Sequence, residues 1–213
     1  MFIQTFFKNP TYYLLWVVFA AFSICVHEYA HAYTAVRYGD DTPREHLTLN
    51  PLKQMGPVSL LMLVLIGIAW GAVPVSPHGT GSARKDAMIS FAGPFANLIL
   101  CAVFALLAVV AYFVGQEGAS ELLSYGGYVN GALFVFNLLP LPPLDGFSIV
   151  RALVPQVKRY DLQAQQFLGI FFLLFWLTPL GSVIFLVGNK LFGLFLVLWA
   201  LPAGFLKGLL SGG

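Results

Sequence analysis

Long apolar runs separated by short polar stretches organise this chain. Continuous hydrophobic segments occupy residues 12–36, 58–73, 87–114, 122–139, 167–187 and 191–206. A helix needs about 20 mostly apolar residues to cross a bilayer, and five of the six runs meet or approach that length. The run 58–73 is different: it follows Gly56-Pro57 and is broken by Gly67 and Gly71 ahead of Pro74 and Pro77. Either it crosses, or it dips in and returns to the same side, which is tolerated only where other protein covers the backbone. Between the first two runs lies a polar cluster of Asp40, Asp41, Arg44 and Glu45, and the alternation Glu45-His46-Leu47-Thr48-Leu49 predicts a short strand. No internal repeat and no low-complexity tract interrupts this pattern.

Composition agrees with a lipid-facing surface. Hydrophobic residues make up 59% of the chain and charged residues 9%, with a mean hydropathy of +0.82. A soluble domain carries roughly a quarter charged residues, so this surface must face the bilayer. The net charge of +2 is small and scattered, which excludes a nucleic-acid partner. Cys25 and Cys101 both sit in apolar runs and read as small core hydrophobes. The first run continues directly into His27 and Glu28, so it is expected to be a retained anchor and not a cleaved signal.

Three polar features inside the apolar runs carry candidate chemistry. His27 and His31 are four residues apart, so on a helix both imidazoles project from one face. That spacing suits two nitrogen ligands to one metal ion, with Glu28 beside them as candidate general base. Three ionisable groups in an apolar helix are costly unless partnered; the alternative is an interhelical hydrogen-bond cluster without metal. A catalytic zinc usually takes a third protein ligand. Most carboxylates fall in loops, and Asp86 opens a helix as a possible cap. Asp145 closes the run Asn137-Leu138-Leu139-Pro140-Leu141-Pro142-Pro143-Leu144-Asp145-Gly146, where prolines end regular helix and an unwound segment can aim a carboxylate. Its competing reading is a turn residue before Gly146. The third feature is Gly93-Pro94-Phe95-Ala96-Asn97, where Asn97 is a buried amide suited to substrate backbone or an oxyanion, and Gly93 and Pro94 equally suit helix packing.

Together these motifs resemble the site-2 protease family of intramembrane zinc metalloproteases, in its compact prokaryotic branch without added peptide-binding or nucleotide-sensing modules. The resemblance rests on His-Glu-x-x-His at 27–31, Gly-Pro-x-x-Asn at 93–97 and Asn-x-x-Pro-x-x-Pro-Leu-Asp-Gly at 137–146, and covers roughly residues 11–150. It implies that His27, His31 and Asp145 bind Zn2+, that Glu28 is the catalytic acid/base, and that Asn97 and Asn137 assist substrate or oxyanion binding. The implied partner is a membrane-anchored protein substrate within the lipid bilayer, with a regulatory membrane partner or a second copy of the chain left open.

The ligand set imposes a topology. For His27, His31, Asn97 and Asp145 to meet at one depth, the first and fourth runs must be parallel and the Asn97 helix opposite, which requires 58–73 to be re-entrant. Lysine and arginine counts test this without the motifs. With a re-entrant second run, Arg37, Arg44, Lys53, Arg84, Lys85, Arg151, Lys158, Arg159 and Lys207 share one side against Lys8 and Lys190, 9 against 2; a crossing run gives 7 against 4. The expected fold is therefore an all-α polytopic membrane protein with about five transmembrane helices, a re-entrant hairpin and a short strand segment. It forms one membrane-embedded domain, 1–213, with its catalytic core at about 11–150 and accessory helices at about 165–207. The expected location is the plasma or inner membrane, with the N-terminus outside, the C-terminus cytoplasmic and the active site toward the cytoplasmic face. The expected activity is hydrolysis of a peptide bond in or near a transmembrane segment, with the 45–49 strand pairing with the extended substrate. Two rivals come from other classes: a catalytically silent membrane binding protein, and a metal or proton transporter using the same polar cluster.

Overall fold

In the computed structural model, residues 4–71, 73–74, 76, 79–154, 156–157 and 179–211 are described, and all regular structure among them is helical. The helices are α1 (Gln4–Lys8), α2 (Pro10–Arg37), α3 (Pro51–Gln54), α4 (Gly56–Ile66), α5 (Ala83–Phe113), α6 (Glu117–Asn137), α7 (Asp145–Leu153) and α8 (Leu180–Ser211). The first long helix starts where Asn9 accepts a hydrogen bond from Tyr12 N at 3.0 Å, with Pro10 in the first turn where its missing N–H costs nothing.

Three of the described helices are long and apolar enough to cross a membrane: Pro10–Arg37, Ala83–Phe113 and Gly181–Gly204 within α8. This corrects the expected count of about five. The 122–139 run does form a helix, but α6 carries Gly126, Gly127, Asn130 and Gly131 on a face buried against protein, which lowers its hydropathy. The runs 167–187 and 191–206 were expected as two helices. Residues 167–178 lie outside the described residues, and the rest belongs to the single helix α8. Gly188-Asn189-Lys190 contains no proline, so it leaves the helix unbroken; Asn189 and Lys190 are exposed while Gly188 is buried.

Small residues set the packing. A Cβ on Gly131 would come within 2.6 Å of the Gly188 carbonyl, and one on Gly127 would strike the Phe192 ring, so α6 and α8 approach almost backbone to backbone. These pairs, 131 with 188 and 127 with 192, show that the two helices are antiparallel. Consistently, Phe192 packs on Cys101 and Ala105 while a Cβ on Gly204 would lie 3.9 Å from the Phe113 ring, so α8 runs parallel to α5. The C-terminal end of α8 therefore lies at the end of the bundle where α5 finishes. The expectation that it shares an end with Arg84 and Lys85 is corrected, because α8 continues unbroken through 188–190 in the direction of α5.

The 58–73 run also has a definite shape. At 1.5 Å per residue, α4 is about 16 Å long, and it stops at Gly67, whose φ of 76° is the left-handed conformation glycine tolerates. Trp16 Nε1 donates to Gly67 O at 3.0 Å and Tyr13 Oη to Val64 O at 2.9 Å. The chain then turns back: Ser59 Oγ bridges Trp70 O and Trp70 N at 2.6 and 2.8 Å, Val73 N reaches Glu28, and Ser76 N donates to Asp40 at 2.8 Å. The return runs down α2 from Trp16 to Asp40, so this hairpin enters and leaves at the same end of α2.

No strand forms at 45–49 among the described residues, which corrects that expectation. Arg44–His46 is a 3-10 turn. Beyond it, the buried Gln54 amide donates to both His46 O and Thr48 O, curling the backbone around one side chain. Those carbonyls are consumed within the loop, so the alternating pattern has no ladder to join.

Candidate metal centre

The polar residues of α2, α5, α6 and α7 converge on one point. His27 and His31 lie one turn apart on α2, both buried, with their rings edge to face at 4.7 Å between centroids. Asp145 begins α7 immediately after the Pro140–Leu144 turn. Gly146 allows the tight reversal: a Cβ there would collide with the carbonyls of Leu138 and Leu139 at the end of α6. As a result Asp145 Oδ2 lies 3.0 Å from His27 Nε2 and Oδ1 lies 3.2 Å from His31 Nε2.

The hydrogen bonds behind the imidazoles determine what faces the centre. His31 Nδ1 is 2.7 Å from Ile89 O, a carbonyl that can only accept, so Nδ1 carries the proton and Nε2 presents a lone pair. His27 Nδ1 is 2.7 Å from Asn97 Oδ1, with the same consequence. The two Nε2 atoms are 3.0 Å apart. Asp145 Oδ2 is buried and makes no hydrogen bond despite its short distance to His27. With both imidazoles neutral, three acceptor atoms face one another, all within 4.8 Å. Such a cluster is electrostatically unfavourable until a cation joins it. Two imidazole nitrogens, each held from behind through Nδ1, and a carboxylate oxygen are the donor set of a zinc site with an open position.

Glu28, buried on the next position of α2, accepts a hydrogen bond from Val73 N at 3.2 Å through Oε2. Two glycines make the room. A Cβ on Gly71 would overlap the Glu28 carboxylate, and one on Gly93 would overlap Nε2 of both His27 and His31. Gly93 thus lets α5 pass directly against the imidazoles, which gives the Gly-Pro motif a steric role at the centre.

The expected site residues fall into distinct positions. His27, His31 and Asp145 are brought together, with Glu28 adjacent. Asn97 is wholly buried and fully engaged: Oδ1 accepts a hydrogen bond from His27 Nδ1, and Nδ2 donates to Asn130 Oδ1 at 2.9 Å and Ser23 O at 3.4 Å. It stands behind His27, with both ends of its amide engaged within the protein. Asn137 ends α6 half-buried and forms no hydrogen bond to the cluster among the described residues. Sequence reasoning missed Ser23 and Asn130, both wholly buried behind the site. Asn130 had a signal, since a lone amide in an apolar, glycine-rich helix needs a polar partner; Ser23 had none.

An apolar helical chain with a His-Glu-x-x-His helix, a carboxylate brought against both histidines and a glutamate beside the cluster defines a membrane-embedded zinc metalloprotease. Comparison with known proteins agrees. The model of Peptidase family M50 matches residues 113–177, which include α6 and Asp145. The protein named "Putative zinc metalloprotease YwhC" of Bacillus subtilis is 38% identical over 174 residues, covering 76% of this chain and 80% of the relative. "Putative zinc metalloprotease Rip2" of Mycobacterium tuberculosis is 34% identical over 171 residues, covering 74% of this chain and 64% of the relative. "Zinc metalloprotease MJ0392" of Methanocaldococcus jannaschii is 26% identical over 186 residues, and the chain spans 48% of its length. No solved structure gives a significant match. The chain belongs to peptidase family M50, the site-2 protease family, and its cofactor is zinc.

Proposed function

We propose that the chain hydrolyses a peptide bond in or next to the transmembrane segment of a membrane-anchored protein, with His27, His31 and Asp145 holding zinc and Glu28 as the catalytic acid/base. The observation that carries this reading is the convergence of His27 Nε2, His31 Nε2 and an Asp145 carboxylate oxygen beside a buried glutamate. When bound, zinc supplies a Lewis acid that polarises the scissile carbonyl and lowers the pKa of water. Glu28 takes a proton from the attacking water and delivers it to the leaving amine. Val73 N steadies the carboxylate at Oε2, leaving Oε1 for the proton. Asn97 keeps Nε2 of His27 bare for the metal. Asn137, at the mouth of the turn leading to Asp145, is the remaining candidate for contact with substrate.

The same reading places the centre toward the cytoplasmic face of the plasma or inner membrane, with the N-terminal end of α2 outside. Arg37, Arg44, Lys53, Arg84, Lys85 and Arg151 cluster at the end of the bundle nearer the histidines, while Lys8 lies at the other. In this frame the 56–76 hairpin is re-entrant and α8 leads back outward. Control through a regulatory membrane partner or a second copy of the chain fits a compact chain of this kind.

The test is one variant with two readouts. Glu28→Gln keeps about one zinc per chain and loses cleavage of a co-expressed membrane-anchored candidate. Zinc retained by wild type with no proteolysis across a broad substrate panel refutes the proposal and favours a silent binding protein or a transporter.

A further inference from the structure

Behind His27 runs a chain of amides whose direction is dictated by backbone atoms. Asn130 Nδ2 donates to Gly126 O at 2.9 Å and to Ser23 Oγ at 2.9 Å. The Gly126 carbonyl can only accept, so it fixes which end of the Asn130 amide is nitrogen. Asn130 Oδ1 must then face Asn97, where it accepts from Nδ2 at 2.9 Å. The Ser23 carbonyl, at the longer distance of 3.4 Å from the same Nδ2, adds a weak contact that favours the same orientation. With its nitrogen so committed, Asn97 can offer only Oδ1 to His27, and an acceptor at Nδ1 forces the ring proton there. All three side chains have no exposed surface, so water cannot substitute for any link.

We propose that Asn130 and Ser23 are positioning residues that set the tautomer of His27 through Asn97, and so make its Nε2 a ligand. Neither residue touches the metal atoms or Glu28. The two histidines are held differently: His31 takes its tautomer from a backbone carbonyl that no side-chain replacement removes, whereas His27 takes it from three side chains on α2, α5 and α6. The relay therefore ties metal binding to the correct packing of α6 against α2 and α5. A bundle with α6 displaced keeps His31 poised but frees His27 to move its proton to Nε2, where it blocks the metal.

This inference rests on reading the cluster as a zinc site, and the experiment separates the two. Metal-free protein labelled with 15N-histidine is observed in detergent at a pH where both rings are neutral, and long-range proton–nitrogen correlations report which ring nitrogen is bare. In wild type, His27 and His31 both show a bare Nε2. In Asn130→Leu, His27 shifts toward protonation at Nε2 while His31 is unchanged, and zinc affinity falls about 10–100-fold, the usual cost of losing support behind a ligand. Ser23→Ala, a nearly isosteric change that preserves the fold, produces the same shift to a smaller extent. An unaltered His27 in folded Asn130→Leu and Ser23→Ala overturns the proposal, as does a shift of both histidines together, which would indicate general loosening. If His27 follows Asn130 while wild type takes up no zinc, the relay stands and the metal reading fails.

Discussion

Replacing Gly93 by alanine is the sharpest steric test of the centre. A Cβ built on Gly93 lies 2.5 Å from His27 Nε2 and still closer to His31 Nε2, whereas ordinary contact begins at 3.4 Å. Neither neighbour is a flexible chain end. His27 is tied through Nδ1 to Asn97, His31 to Ile89 O, and both rings are buried. The imidazoles or α5 must therefore give way by about 1 Å, and a misplacement of that size at a catalytic constellation costs about 100-fold. Overpacking a buried site costs about 1–3 kcal/mol of stability, so the variant remains folded while its ligands spread. Gly93→Ala is expected to lower both zinc content and cleavage of a membrane-anchored substrate by about 100-fold, with a modest fall in melting temperature in detergent. Gly118→Ala is the control, since nothing lies within 4 Å of its Cβ. Wild-type zinc affinity and cleavage in Gly93→Ala would show that α5 does not bound the metal position, and the reasoning would fail.

Gly71→Ala should displace the Glu28 carboxylate and not the ligands, so cleavage drops by about 100-fold while zinc content, measured by elemental analysis, is unchanged. At Asp40, burial raises the carboxyl pKa, but the hydrogen bonds from Ser76 N and from Thr42 outweigh it and hold the group below its ordinary range. Its contribution is thus fully present above the unfolded carboxylate pKa of about 3.9 and lost as pH falls through the lower folded value. Asp40→Asn should loosen the 73–76 return at neutral pH, measured as faster amide exchange, with the difference from wild type vanishing on acidification. Gly131→Val should cost about 1–3 kcal/mol by thermal unfolding in detergent, because its Cβ meets the Gly188 backbone, which cannot yield as a side chain can.

How much of this was legible in the sequence depends on the range of the interaction. The His27–Glu28–His31 spacing is local to one helix, and the lipid environment made three ionisable groups conspicuous. Asp145 stood out because prolines ended a helix just before it. The 45–49 alternation misled because period-two patterning also occurs in irregular loops, and the decisive partner, Gln54, is a side chain with no strand signal. Gly188-Asn189-Lys190 misled because polar residues on a helix face are tolerated wherever the backbone stays hydrogen-bonded. Asn97 was found, but its partners within the protein were not, since the groups that engage a buried amide lie on other helices.

By itself, then, the sequence determined the membrane class and the His27–Glu28–His31 cluster, since these follow from composition and from the fixed geometry of one helix. Only the tertiary structure decided that Asp145 meets both imidazoles, which group stands behind each Nδ1, and why Gly71 and Gly93 leave no room for a side chain. Those properties arise where separate helices meet, and the Gly126, Ser23 and Ile89 carbonyls that orient the site come from backbone that every residue shares.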